Sequence, residues 1–161
     1  MFTGVVPGRY RISSALNPPG WTVRSSVVDS RDSLDIPFEV KPSENVAAAV
    51  VTFANASRAT ELSGVLQDPA GRPTSDFTVI VFAADSRFWM PQSRRIQATR
   101  PGTDGRFVIR DLPPGDYRLT AVVDVEPGQW FDQNLLRQIF GVSLPVTLAD
   151  GERKTQDVRV K

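Results

Sequence analysis

The strongest constraint on the fold of this chain is its punctuation. Short apolar and β-branched runs alternate with clusters of Pro, Gly, Asp and Asn, and 13 prolines and 11 glycines are spread over 161 residues. Proline removes a backbone donor and glycine weakens regular elements, so runs bounded in this way read as short strands rather than helices. Strands are expected at 9–15, 21–28, 34–40, 46–53, 61–66, 78–84, 95–99, 107–110, 117–124, 143–148 and 156–160. In 117–124, Tyr117, Leu119, Ala121 and Val123 fall on one face and Arg118, Thr120 and Val122 on the other, the period of a half-buried strand. Only 131–140 breaks the pattern. There Leu135, Leu136, Ile139 and Phe140 recur at helical spacing, behind Asp132 as N-cap and ahead of Gly141 as the stop. The expectation is an all-β chain, an antiparallel β-sandwich with one short helix near 131–140 lying across an open end.

The chain also repeats itself. Pro7-Gly8-Arg9-Tyr10-Arg11-Ile12 returns 107 residues later as Pro114-Gly115-Asp116-Tyr117-Arg118-Leu119. Trp21 answers Trp130, Ile36-Pro37-Phe38 answers Leu144-Pro145-Val146, and Val51-Thr52-Phe53 answers Val158-Arg159-Val160, all at nearly the same offset. Nothing upstream answers 61–110. The expected organisation is a truncated C-terminal half of a repeat at 1–58, followed by a complete sandwich domain at 59–161, the whole being a piece of a longer protein. A half-sandwich leaves an inner face and edge strands uncovered, so 1–58 is expected to self-associate.

Composition removes most other readings. There is no cysteine and no histidine, which excludes disulfide frameworks, Cys/His zinc sites and the common nucleophilic triads. With 19 basic against 18 acidic residues the chain lacks the basic surface that phosphate binding needs, so no nucleic-acid partner is expected. Seven arginines between 87 and 118 meet only Asp104, Asp111 and Asp116, which reads as a solvated strand face. The longest apolar runs, such as 77–84, are too short to span a bilayer, and the first residues lack a signal peptide's basic and apolar regions. No cofactor is expected.

Three blocks carry a family resemblance. Ser63-Gly64-Val65 with Asp68, Gly71 and Pro73, then Thr103-Asp104-Gly105-Arg106-Phe107, then Leu112-Pro113-Pro114-Gly115-Asp116-Tyr117-Arg118-Leu119 resemble the bacterial carboxypeptidase regulatory-like domain family. That resemblance implies an Ig-like or transthyretin-like sandwich, no catalysis, and an exported, extracellular or periplasmic parent protein. On physical grounds Gly64 permits close approach or a bulge, Asp104-Gly105 makes a tight hairpin ahead of Phe107, and Pro114-Gly115 aims Tyr117 inward.

Candidate chemistry is sparse. Asp29, Asp32 and Asp35 offer oxygen ligands but lack the glycine and glutamate of an EF-hand, and read as a polar connection. Glu126 and Asp132 flank Trp130, and two carboxylates beside an aromatic ring are the groups a small glycoside hydrolase would use; the expectation is no catalytic residue. No lysine lies in the strand 61–68, so no isopeptide crosslink is expected. The sequon Asn55-Ala56-Ser57 reads as accidental. Two aromatic loops remain, 86–95 and 126–132. If exposed, Trp89 and Trp130 with Arg87, Arg94 and Arg95 would form a binding surface for a polysaccharide or protein partner; if buried, they cap the sandwich.

Overall fold

In the computed structural model the described residues are 5–13, 18–44, 46, 48–55 and 59–160. The chain divides into two compact units, 1–58 and 59–161. The sequon and Ala15 fall wholly or partly outside the described residues.

Unit 1 contains β1 (Gly8–Tyr10), β2 (Trp21–Val28), β3 (Arg31–Asp32), β4 (Phe38–Val40) and β5 (Ala49–Asn55). β1 pairs antiparallel with β4, while β3, β2 and β5 form a three-stranded sheet with β5 at its edge. A bulge at Arg24, between Val23 and Ser25, shifts the β2–β5 register. The expected strand 34–40 forms only over its last three residues. Its start is bent because the Asp32 carboxylate accepts the amides of Leu34, at 2.9 Å, and Asp35, at 3.3 Å. The small core holds Val28, Leu34 and Val40 around a buried hydroxyl pair, Ser26 and Ser33, at 2.9 Å. Ser33 also donates its amide and its hydroxyl to the Ser26 carbonyl, so neither polar group is buried without a partner.

Unit 2 is a sandwich. One sheet runs β11 (Leu144–Leu148), β10 (Gly115–Val122), β7 (Thr78–Ala83) and β8 (Ile96–Thr99), all antiparallel. In the other, β6 (Glu61–Gln67) pairs antiparallel with β9 (Arg106–Arg110) and parallel with β12 (Arg153–Thr155) and β13 (Val158–Arg159). Between the sheets lie Leu62, Leu66, Val79, Val81, Phe107, Ile109, Tyr117, Leu119, Val146, Leu148 and Val158. Each such side chain, once fully buried, contributes about 1.5–3 kcal/mol. β12 and its parallel pairing with β6 were not expected; the run Arg153-Lys154-Thr155 carries no apolar signal.

All six residues of β7 are buried. Val79 and Val81 face the inter-sheet core, whereas Ile80 and Phe82 face a second cluster with Trp89, Ile96, Val125, Leu136 and Ile139. The helix α1 (Gln133–Phe140) therefore covers the outer face of this sheet, which corrects the expectation that it lies across an open end. A strand apolar on both faces needs a third layer, and α1 supplies it. Asp132 caps the helix, accepting the Asn134 amide at 2.7 Å.

The glycine blocks have steric explanations. A Cβ on Gly64 would stand 2.1 Å from the Gln156 carbonyl oxygen and 2.9 Å from the Phe107 ring. Gly105 has φ +73° and no room beside the Leu66 carbonyl oxygen, 2.6 Å from an added Cβ. The Asp68 carboxylate holds its loop by accepting the Arg72 amide at 2.9 Å and pairing with the guanidinium at 2.8 Å. Its carboxyl is held below the usual range, chiefly by that amide bond.

Candidate functional site

The sequence nominated two aromatic loops, and the fold treats their tryptophans differently. Trp89 follows a 3₁₀ turn, Ser86–Phe88, opened by Asp85, whose side chain accepts the Arg87 amide. Its indole is only 4% exposed, meets Phe82 edge-on at 5.7 Å, and donates to the Ala83 carbonyl at 2.7 Å. Both its apolar body and its polar tip are thus occupied. The expectation of Trp89 as an exposed platform is corrected: Phe82 and Phe140 on the outer face of the sheet bury it.

The nominated arginines are occupied as well. Arg87 pairs with Asp85 at 2.6 Å; this side-chain hydrogen bond lowers the Asp85 carboxyl and raises the Arg87 guanidinium. Arg95 lies over the Phe88 ring at 4.6 Å and donates to the Pro114 carbonyl at 3.1 Å. Arg94 is half-buried and engaged. The remaining arginines of this stretch disperse: Arg106 pairs with Asp104, Arg110 with Glu61, and Arg118 stacks on Phe140 at 4.3 Å.

Trp130 sits in a second 3₁₀ turn, Gln129–Phe131, which opens at Gly128 with φ +90°. It is half-buried and lines an open groove of about 300 Å³ with Thr78, Ala98, Thr99, Arg100, Val125 and Pro127. Arg100 is the single charged residue of that lining, is exposed, and makes no ion pair among the described residues. Arg100 was visible in the sequence only as one arginine among seven; which of them the fold leaves unpaired depends on strand pairing. In unit 1 a second groove, about 400 Å³, is lined by Arg9, Arg31, Asp32, Ile36, Pro37, Phe38 and Glu39.

The acidic candidates hold backbone. Asp29 accepts the Ala48 amide at 3.2 Å, and Asp132 is the helix cap. Among the described residues no group of three or more Asp or Glu gathers in the way a metal ion requires, and no helix is long and apolar enough to cross a membrane.

One strand pairing in each unit can be set side by side. Gly8, Arg9 and Tyr10 pair with Val40, Glu39 and Phe38; Gly115, Asp116 and Tyr117 pair with Leu148, Thr147 and Val146. These are the positions matched in the sequence. Each tyrosine hydroxyl donates to the carbonyl four residues upstream, Tyr10 to Val6 at 2.5 Å and Tyr117 to Pro113 at 2.6 Å. Trp21 and Trp130 do not correspond: Trp21 opens a strand and is 47% exposed.

No family model matches the chain, and no curated protein does. Among solved structures it is similar to BcpA, the major pilin subunit of Bacillus cereus, at 11% identity over 78% of this chain and 34% of that one, with a TM-score of 0.43. A streptococcal ancillary pilin is similar at 16% identity, 89% and 45% coverage and a TM-score of 0.42. Catechol 1,2-dioxygenase from an Acinetobacter species follows at 10%, 63% and 52%, with a TM-score of 0.38. The chain thus spans less than half the length of either pilin. Scores this low support no statement about role, and the all-β assignment stands on the strands and sheets themselves.

Proposed function

We propose that this chain is a non-catalytic assembly module, built from two versions of one carboxypeptidase regulatory-like sandwich, in an exported bacterial surface protein. The observation that carries the reading is the repeated β1–β4 and β10–β11 register with its tyrosine-to-carbonyl bond. The absence of histidine and cysteine, together with the use of Asp29, Asp32 and Asp132 as backbone acceptors, supports a structural role over hydrolysis.

Assembly runs through unit 1 with a second copy of the chain. Trp21, Val51 and Phe53 are 47%, 39% and 38% exposed and lie on one face of the β2–β5 ribbon, whereas Val158, the counterpart of Val51, is buried in unit 2. β5, Ala-Val-Val-Thr-Phe-Ala-Asn, carries neither charge nor proline at its open edge. The edge strands of unit 2 are guarded: Pro145 in β11, Arg106 and Arg110 in β9, Arg153 and Lys154 in β12, and Arg100 directly after β8. An unguarded edge that meets its own copy gives a two-fold, self-complementary contact.

Light scattering on a size-exclusion column tests this. The wild type is expected to elute as a concentration-dependent dimer and Phe53→Lys as a monomer with unchanged circular dichroism. A wild type that stays monomeric at all concentrations contradicts the reading.

A further inference from the structure

We infer that the Trp130 groove of unit 2 binds an acidic sugar, a hexuronate residue of a polysaccharide, with its ring on the indole and its carboxylate on Arg100. The inference rests on the non-catalytic reading of the module and is independent of association through β5.

The groove brings together the groups such a ligand needs. Trp130, half-buried against the second core cluster, lines the groove with the part of its side chain that stays accessible, and Phe131 lies 6.1 Å from it between ring centroids. Ala98, Val125 and Pro127 complete the apolar lining. A pyranose ring presents C–H groups on one face and hydroxyls around its rim, so it can bury the former on indole while the latter keep polar partners. Thr78 and Thr99 stand in the same lining; Thr78 is only 6% exposed and its hydroxyl makes no hydrogen bond among the described residues.

Arg100 selects the charge of the ligand. It is the one charged residue of the lining, and no carboxylate among the described residues pairs with it, whereas Arg87, Arg94 and Arg95 are all engaged. A guanidinium presents two parallel donors to a planar carboxylate. One cation matches one carboxylate better than a multiply charged phosphate ester. The volume, about 300 Å³, holds one sugar ring and part of the next, and the opening to solvent lets the polymer continue beyond it. Glu126 lies between two lining residues in sequence but is not itself in the lining.

Isothermal titration of the full chain with trigalacturonate, and with a neutral galactose trisaccharide, tests the assignment. The acidic trisaccharide is expected to bind at least about tenfold more tightly than the neutral one, and Arg100→Ala to abolish that difference. Arg100 is exposed, so this variant keeps its fold; Trp130→Phe, which keeps an aromatic ring, is expected to weaken both sugars alike. Equal affinity of wild type and Arg100→Ala for trigalacturonate, equal affinity for the two sugars, or no binding at millimolar concentration each overturns the inference. None of these outcomes alters the dimer expected from β5, so the two readings fail separately.

Discussion

Tyr117 donates its hydroxyl hydrogen to the carbonyl of Pro113, four residues upstream, at 2.6 Å, and does so at 1% exposure inside the inter-sheet core. A buried phenol needs such a partner, and the Pro-Pro-Gly turn supplies one by bringing the Pro113 carbonyl to the hydroxyl. Arg95 reaches the same hydroxyl at 3.4 Å, tying the start of β8 to this corner. Removing the hydroxyl leaves the carbonyl with less than its full set of partners. Tyr117→Phe is expected to destabilise unit 2 by about 1–2 kcal/mol in urea unfolding. Tyr10→Phe, at an exposed site, is expected to cost less than about 0.5 kcal/mol.

Glycines 64 and 141 separate two roles that look alike in sequence. Gly64→Ala drives a methyl into the Gln156 carbonyl and is expected to cost about 3 kcal/mol, read by the same unfolding curves. Gly141 ends α1 with φ −69° and open space around it, so it is not a left-handed stop. Gly141→Ala is accordingly expected to stabilise by about 0.5 kcal/mol through the unfolded chain. A large loss at Gly141, or none at Gly64, contradicts these assignments.

Quenching by iodide discriminates the tryptophans. In Trp130→Phe, Trp89 is expected to emit at short wavelength and resist quenching while Trp21 is quenched, given exposures of 4% and 47%. If Trp89 is quenched as fully as Trp21, the aromatic layer over β7 is wrong.

Asp68 and Asp85 give the chain an acid limb. Both carboxyls lie below their ordinary value in the folded protein, Asp68 mainly through the Arg72 amide and Asp85 mainly through the Arg87 side chain. The unfolded chain therefore takes up protons first, at about pH 4. Their contribution is fully present above that pH and is lost as pH falls through the lower folded values. Relative to wild type, Asp68→Asn with Asp85→Asn is expected to be less stable at pH 7, by a margin that shrinks below about pH 4. A margin constant with pH contradicts the role given to these carboxylates.

Much of the fold is legible in the sequence because period-two patterns and turn residues are local. Tyr117, Leu119 and Ala121 face the inter-sheet core as their alternation demands, and Asp132 caps the helix its spacing announces. What escapes local reading is where a layer lands. The double burial of β7 placed α1 and Trp89 on the outer sheet face, although the run Thr-Val-Ile-Val-Phe-Ala was already apolar on both sides. The short strand β12 depends on β6, distant in sequence, and leaves no apolar trace; β3, which closes a tight hairpin with β2, has no apolar residue either. The site is less legible still, since the contacts of Arg95 with Pro114 and Tyr117, and the placing of Arg100 in one groove with Trp130, follow from tertiary structure.

Because the chain has no cysteine, a single introduced thiol reports on one position alone. The most direct measurement is air oxidation of the full chain carrying Val51→Cys on β5, compared with Val108→Cys on the exposed face of β9. The account predicts rapid disulfide-linked dimer from Val51→Cys and only slow, collisional dimer from Val108→Cys. Equal, slow rates at both positions would contradict association through unit 1.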